Sequence, residues 1–281
     1  MIRIAEAEDL EQIYRFQMQF HAPYFFSVDY PIWKESFMND ADGNGNVLFK
    51  ELTVKAAYDG SELIAFIQYG KTAFGFDDRG GLSSDVCHCV IRNLYVNKER
   101  SDVGALLLKE AMDAFSASDK VYAFFHYFGM SCFARHGKLF EWHAHIDALL
   151  KQNGFETEHE NVYYSSVLKG NEESEIELMP QNLTKGNQQY IDFTLSGSQV
   201  GGCEIHFLDD AACYLRWIYV NENITGKGIG TKCMNALKLW LYRKGVTRFD
   251  TDTALSNNVA QHFYEKNGFT REGITRSYYR L

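Results

Sequence analysis

Apolar and polar positions change their period repeatedly along the 281 residues, and each change marks an element. An opening strand is expected at Ile2–Ala5, an amphipathic helix over Glu8 to Phe20 and a second helix near Ile32–Met38. Period-two and continuous apolar runs predict strands at Asn46–Tyr58, Glu62–Ala73 and Asp85–Val96, with polar turns at Asp59-Gly60 and Asp78–Gly81. A helix from about Asp102 to Phe115 and a strand at Val121–Tyr127 complete the first half. After Leu168 the run Lys169-Gly-Asn-Glu-Glu-Ser-Glu reads as a linker, so domains are expected at 1–168 and 172–281. Strands then follow at Glu175–Met179, Gln188–Leu195, Gln199–Leu208 and Ala212–Val220, with no helical pair between the first two. A helix from about Gly228 to Lys244 places Ile229, Cys233, Leu237 and Trp240 on one face and ends at Gly245. A strand at Arg248–Thr253, a helix opening at Asn257 and a final strand pair close the chain.

The two halves repeat one another. Arg92-Asn-Leu-Tyr-Val-Asn97 matches Arg216-Trp-Ile-Tyr-Val-Asn221 at an offset of 216 − 92 = 124, and Lys151-Gln-Asn-Gly-Phe155 answers Glu265-Lys-Asn-Gly-Phe269 at 268 − 154 = 114. A period this long is a duplicated domain, not a solenoid. The ten-residue difference is an insertion in the first copy, within the aromatic and histidine-rich run 122–145.

Where strand meets helix in the second copy stands Thr225-Gly226-Lys227-Gly228-Ile229-Gly230-Thr231. Glycines there let a phosphate approach the backbone, and the first turn of a helix offers unpaired N–H groups and partial positive charge. The junction therefore reads as an anion cradle. It lacks the Gly-Lys-Ser/Thr ending of a nucleoside-triphosphate loop and the glycine spacing of a dinucleotide fingerprint.

Strand, glycine cradle, helix and strand, followed by Asn257-x-x-Ala260-x-x-Phe263-Tyr264-Glu265-Lys266-x-Gly268-Phe269, resemble the GNAT superfamily of acyl-coenzyme A-dependent N-acetyltransferases. The opening I-R-x-A-x-x-x-D-L-x-x-I is similar to the start of such domains. The resemblance implies an α/β (α+β) fold: two GNAT-like domains, each a mixed, mostly antiparallel central sheet flanked by helices. It also implies acetyl-CoA as co-substrate, with no metal, and direct transfer of its acetyl group to a primary amine. The coenzyme would lie along Ile218, Tyr219 and Val220, pairing like an added strand, and across Thr225 to Thr231. The family's long polar residue at the head of the cradle is replaced by Thr225. Asn257 stands where the family contacts the coenzyme, and Tyr264 where its general acid often stands.

In the first copy, Ser101, Gly104 and Leu106 stand opposite Thr225, Gly228 and Gly230, or Arg100, Val103 and Ala105 in a second register; His143 and Leu150 stand opposite Asn257 and Tyr264. The expectation is a degenerate first cradle and one working site. With no helical pair at its start, the second domain is expected to borrow a wall of its acceptor site from the first.

An alkylamine with a pKa of ~10.4 is almost entirely protonated near neutrality, so a base is needed. The family's glutamate on the central strand would fall at Tyr214. Glu204 and His206, on one face of the neighbouring strand, are the candidate bases.

Composition narrows the remaining readings. The sequence is 46% apolar and 15% aromatic, ample for two cores. No segment resembles a signal peptide and no apolar run reaches spanning length, so a cytoplasmic protein without membrane attachment is expected. Six cysteines in no zinc spacing are expected as reduced thiols, and His136, His143 and His145 fit no firm metal pattern. Residues 1–169 carry 16 Lys+Arg against 24 Asp+Glu, and residues 170–281 carry 12 against 13, balances of −8 and −1 that sum to the chain's −9. That balance argues against nucleic acid and favours a cationic acceptor. Two alternatives remain: a non-catalytic acyl-CoA-binding module, and an enzyme resembling the Fem-type aminoacyl transferases. Acceptor identity and oligomeric state are open.

Overall fold

The computed structural model describes residues 1–25, 28–38, 40–41, 45–76, 82–116, 120–134, 136–170, 174–181 and 187–281. The expected turn at Asp78–Gly81 and the middle of the expected linker, 171–173, lie outside them. The chain forms two compact units: Met1–Glu160 together with Thr275–Leu281, and Asn161–Ile274.

In the first unit, β1 (Ile2–Ile4), β2 (Phe49–Asp59) and β3 (Glu62–Thr72) pair antiparallel. A short hairpin of β4 (Gly75–Phe76) and β5 (Leu82–Ser83) leads to β6 (Cys89–Val96), antiparallel to β3 and parallel to β7 (Val121–Ala123). The helices are α1 (Leu10–Gln17), α2 (Tyr30–Met38), α3 (Ser101–Asp113) and α4 (Ala144–Gln152). The strand expected at Val121–Tyr127 stops at Ala123, because Phe124 turns the chain with a φ of 54° while its N–H still bonds to Ile91 O. The histidines of the inserted run belong to this unit's aromatic packing: His136 stacks on Tyr24, and His143 meets Phe20 and Tyr95 edge-on. All six cysteines are free thiols.

The second unit repeats the order. β10 (Glu177–Gln181), β11 (Gln188–Leu195), β12 (Ser198–Phe207) and β13 (Ala212–Val220) pair antiparallel in turn, and β13 runs parallel to β14 (Arg248–Ala254). Six residues, 182–187, stand between β10 and β11 in the sequence, and 182–186 lie outside the described residues. Cys203, Ile205, Leu215 and Phe249 on one face of the sheet pack with Cys233 and Leu237 of α5 (Ile229–Arg243), and α6 (Asn258–Lys266) completes that layer.

Each unit includes part of a strand that begins in the other. β9 (Glu156–Val167) follows α4, yet its residues 161–167 pair with β14 in the second unit. β15 follows α6 as one continuous strand, Thr270–Arg280, and not the expected pair; its residues 275–280 pair with β7 and with β8 (Leu139–Phe140) in the first unit. The units therefore divide differently from the expected 1–168 and 172–281: Asn161–Val167 go with β14, and the last seven residues go with β7 and β8.

The duplication is exact where α4 and α6 end in turn. Gly154 and Gly268 have φ values of 82° and 77°. Phe155 N–H bonds to Leu150 O at 3.1 Å, and Phe269 N–H bonds to Tyr264 O at 3.1 Å, the same helix closure in both copies.

No helix among the described residues is long and apolar enough to cross a membrane.

A fragment of residues 170–281 omits Val162, Tyr163 and Tyr164, which are fully buried, and strips β14 of one neighbour. Expressed alone, it is expected to be insoluble or to melt without a cooperative transition in calorimetry. A sharp transition near that of the full chain would contradict the pairing described here.

Candidate active site

β13 and β14 are partners for only part of their length. The parallel register runs from Ala212↔Arg248 to Leu215↔Thr251 and stops, although β13 continues to Val220 and β14 to Ala254. On the other side of β13, Glu204 faces Trp217 while Ile205 faces Leu215, which leaves Arg216 as the extra residue of a β-bulge. A bulge adds twist and bends the bulged strand. The strands part here, and the backbone of Ile218, Tyr219 and Val220 has no β14 partner among the described residues.

The helix α6 lies at this fork. The Thr251 hydroxyl donates to Leu215 O at 3.0 Å and lies beside Tyr264. Tyr264 packs on Tyr164 and Phe269 and is 6% exposed. Burial raises its pKa, with Thr251 working the other way and the charge of Asp252 adding to the rise. The hydroxyl thus carries its proton at neutral pH. Asn257 caps α6, its side chain accepting from Ala260 N–H at 3.1 Å. That cap accounts for an asparagine here without any ligand.

Past Val220 the chain makes a short 3-10 turn, Glu222–Ile224, and reaches α5 through Thr225 to Gly228. Gly226 and Gly228 have φ values of 75° and 78°, a region that L side chains rarely adopt. A Cβ at either would meet nothing within 4 Å, so the space above the loop is open. Gly230 serves a different end: a Cβ there would lie 3.2 Å from Phe263 Cε2, so its absence lets α5 close on α6. The Thr225 hydroxyl donates to Glu222 O at 2.9 Å and Lys227 Nζ to Asn223 O at 3.3 Å, both bracing the turn. Ile229 and Thr231 begin α5 and are half-buried. Lys238, farther along α5, donates to Asn267 O at 2.6 Å and to Ser166 Oγ at 2.8 Å, fixing the helix to the end of α6. Burial lowers its pKa to about 8.

The two candidate bases form one buried cluster. His206 Nε2 lies 2.7 Å from Glu204 Oε1, which also accepts from Gln188 Nε2 at 2.8 Å. Trp217 Nε1 donates to Glu204 Oε2 at 2.7 Å, and Arg216 Nε lies 3.7 Å from Oε1. Burial alone would raise the Glu204 pKa, but His206, Arg216 and Trp217 together hold it below the usual value.

The corresponding junction in the first unit is built differently. Between β6 and α3 lie four residues, 97–100, where β13 and α5 are separated by eight, 221–228. None of 97–104 has a positive φ. Gly104 is therefore not the counterpart of Gly228; it sits inside α3, where a Cβ would lie 2.4 Å from Leu149 Cδ2. Leu106 is exposed on α3 and covers no cradle. The first cradle is shortened away, a stronger loss than the residue-by-residue decay expected from matching letters at a fixed offset. Arg92, which matches Arg216, is buried and donates to Asp40, to Phe128 O at 2.8 Å and to Ser36 O at 3.1 Å.

The profile of the Acetyltransferase (GNAT) family matches residues 155–269. The whole chain is similar in fold to a tandem GNAT protein from the clavulanic acid biosynthesis pathway, with a TM-score of 0.69 and 10% identity over 99% of this chain and 98% of that one. It is also similar to a GCN5-related glucosamine N-acetyltransferase region of a fungal multi-domain GH3 beta-N-acetylglucosaminidase, with a TM-score of 0.67 and 12% identity; 99% of this chain covers 38% of that protein. A GCN5-related N-acetyltransferase from Sphaerobacter thermophilus gives a TM-score of 0.63 and 12% identity over 100% of this chain and 95% of that one. A search of curated proteins by sequence gives no match. Residues 155–269 are thus a domain of the GNAT acetyltransferase family, in a chain with the fold of a tandem GNAT protein.

Proposed function

We propose that the second unit binds acetyl-CoA and transfers its acetyl group to a primary amine by direct attack. The observation that carries this reading is the open, left-handed Gly226–Gly228 loop feeding the first turn of α5, next to a strand edge with no β14 partner. The diphosphate would accept backbone N–H groups of 226–231, where the helix dipole adds partial positive charge. Ile218 to Val220 would pair with the amide groups of the pantetheine arm. That path carries the thioester to the fork, where Tyr264 is the proton donor for the departing sulfur. The burial of Tyr264 favours a second reading, in which the unit holds acyl-CoA without turnover; changing its hydroxyl separates the two.

One coenzyme A per chain is expected in titration calorimetry. Gly228→Asp, which adds strain and negative charge at the loop, should abolish binding, and Ser101→Asp at the start of α3 should leave affinity unchanged. Two comparable sites would overturn the reading.

Tyr264→Phe keeps the ring and removes the hydroxyl, so melting temperature and coenzyme affinity should change little. If the hydroxyl protonates the thiolate, kcat should fall by about 10²–10⁴-fold, the loss typical of general acid–base catalysis. Unchanged kcat with chemistry rate-limiting would remove Tyr264 from the mechanism.

A further inference from the structure

On the sheet face opposite α5 and α6, the second unit carries a layer of buried and half-buried polar groups. Strand register puts Gln188, His206, Tyr214, Asp250 and Ser165 in one row; on the same strands Tyr190, Glu204 and Trp217 face one another in turn, and Asp252 faces Tyr163. Three of these groups are carboxylates, and they are not equivalent. Glu204 is buried and its two oxygens are engaged by His206, Gln188 and Trp217. Asp250 has no exposed surface, accepts from Tyr163 at 2.9 Å and is bonded by Arg248 at 2.9 Å. Asp252 is half-buried and is the first residue of β14 beyond the last β13 pair, Leu215↔Thr251. It stands at the mouth of the fork.

The Tyr214 hydroxyl donates to Asp252 Oδ1 at 2.5 Å and so fixes its carboxylate from β13. Tyr163 lies opposite Asp252 on β9 and stacks on Tyr214 with ring centroids 6.3 Å apart. Charged and titratable groups around the pair include Arg216 on β13, Asp250 on β14, Tyr163 on β9 and Tyr264 on α6. Tyr264, on α6, meets the fork from the helical side of the sheet, and Asp252, on the same face as Asp250 and Tyr214, from the other; the charge of Asp252 adds to the rise in the Tyr264 pKa. Along the same polar face, Tyr190, Trp217 and Tyr219 form an aromatic rail with centroids 5.9 and 5.8 Å apart. Trp217 and Tyr219 are 39% and 45% exposed, and a rail of this kind suits a cation.

We infer that Asp252, held by Tyr214, is the group that accepts a proton from the acceptor amine, and that the acceptor arrives as an alkylammonium ion over the Trp217–Tyr219 rail. The assignment rests on the acetyl-transfer reading. It completes the proton balance of that reaction. The ammonium gives one proton to the Asp252 carboxylate, and the neutral nitrogen attacks the thioester carbon. The C–N bond forms, the C–S bond breaks, and sulfur takes a proton from Tyr264. The second proton lost by nitrogen restores Tyr264 through solvent, and Asp252 releases its own to solvent, so one proton leaves per turnover. In this scheme Glu204 is a positioning residue for Trp217 and Arg216, with its oxygens already engaged.

The test pairs two acceptors with full-length variants, following free thiol. One acceptor is the alkylamine that the wild type acetylates fastest in a panel, an ammonium at pH 7. The other is trifluoroethylamine, an amine already neutral there. Asp252→Asn is expected to bind acetyl-CoA normally, to lose about 10²–10⁴-fold in kcat/KM for the alkylamine at pH 7 and to keep most of its rate with trifluoroethylamine. Tyr214→Phe removes a donor to the carboxylate, which raises the carboxylate's pKa, so the acidic limb of its pH–rate profile should move to higher pH with a loss of about tenfold. Equal losses with both amines, or a wild-type alkylamine rate in Asp252→Asn, would overturn the assignment while leaving acetyl transfer intact. A wild-type protein that fails to bind acetyl-CoA would overturn the underlying reading instead.

Discussion

The second unit depends on a pairing that ends early. β13 and β14 share four register positions and then part, and the Thr251 hydroxyl bonded to Leu215 O marks the last point at which they are joined. A parallel pair that separates leaves backbone groups without sheet partners, a cost that native proteins rarely leave unmet. Three devices hold the fork open. The bulge at Arg216 bends β13; Gly230 lets Phe263 of α6 close against α5; and Tyr264 of the same helix sits beside Thr251. Cradle, strand edge and hydroxyl are consequences of one geometry, and an extended polar ligand is what would satisfy the exposed backbone.

The first unit shows what that geometry requires. Its sheet has the same order and the same parallel central pair, and its α4 ends with the same hydrogen bonds as α6. Yet four residues are missing between β6 and α3, with no left-handed backbone to aim amide groups at a ligand. Where the second unit has a hydroxyl at position 264, the first has buried Leu150. Arg92 meanwhile binds Asp40 and backbone carbonyls, so the equivalent place is filled by a structural network. The two units share the strand order but not the left-handed glycine loop.

Much of this was legible in the sequence, because the local rules agree with the tertiary ones. Alternation gave the strands of both copies, and Asn-Gly-Phe gave the closures of α4 and α6. The glycine pattern located the loop that takes positive φ. What failed did so for nameable reasons. Matching at a fixed offset aligned Gly104 with Gly228, since identical letters carry no information about where a helix starts. The apolar run after Val121 continued past Phe124 although its φ of 54° ends the strand. The engagement of Glu204 by Trp217 and Gln188 comes from cross-strand register and a bulge, neither of which leaves a periodic trace. Nor does any periodic pattern mark Asp252, whose place at the fork is set by where the pairing stops.

The central claim is that coenzyme binds the backbone at one fork, along 218–220 and 226–231. Amide hydrogen exchange with and without coenzyme A measures that directly. Slowed exchange confined to the amides of 218–220 and 226–231, with 97–104 unaffected, is the predicted result. Slowed exchange at 97–104, or none in the second unit at saturating coenzyme, would contradict the account.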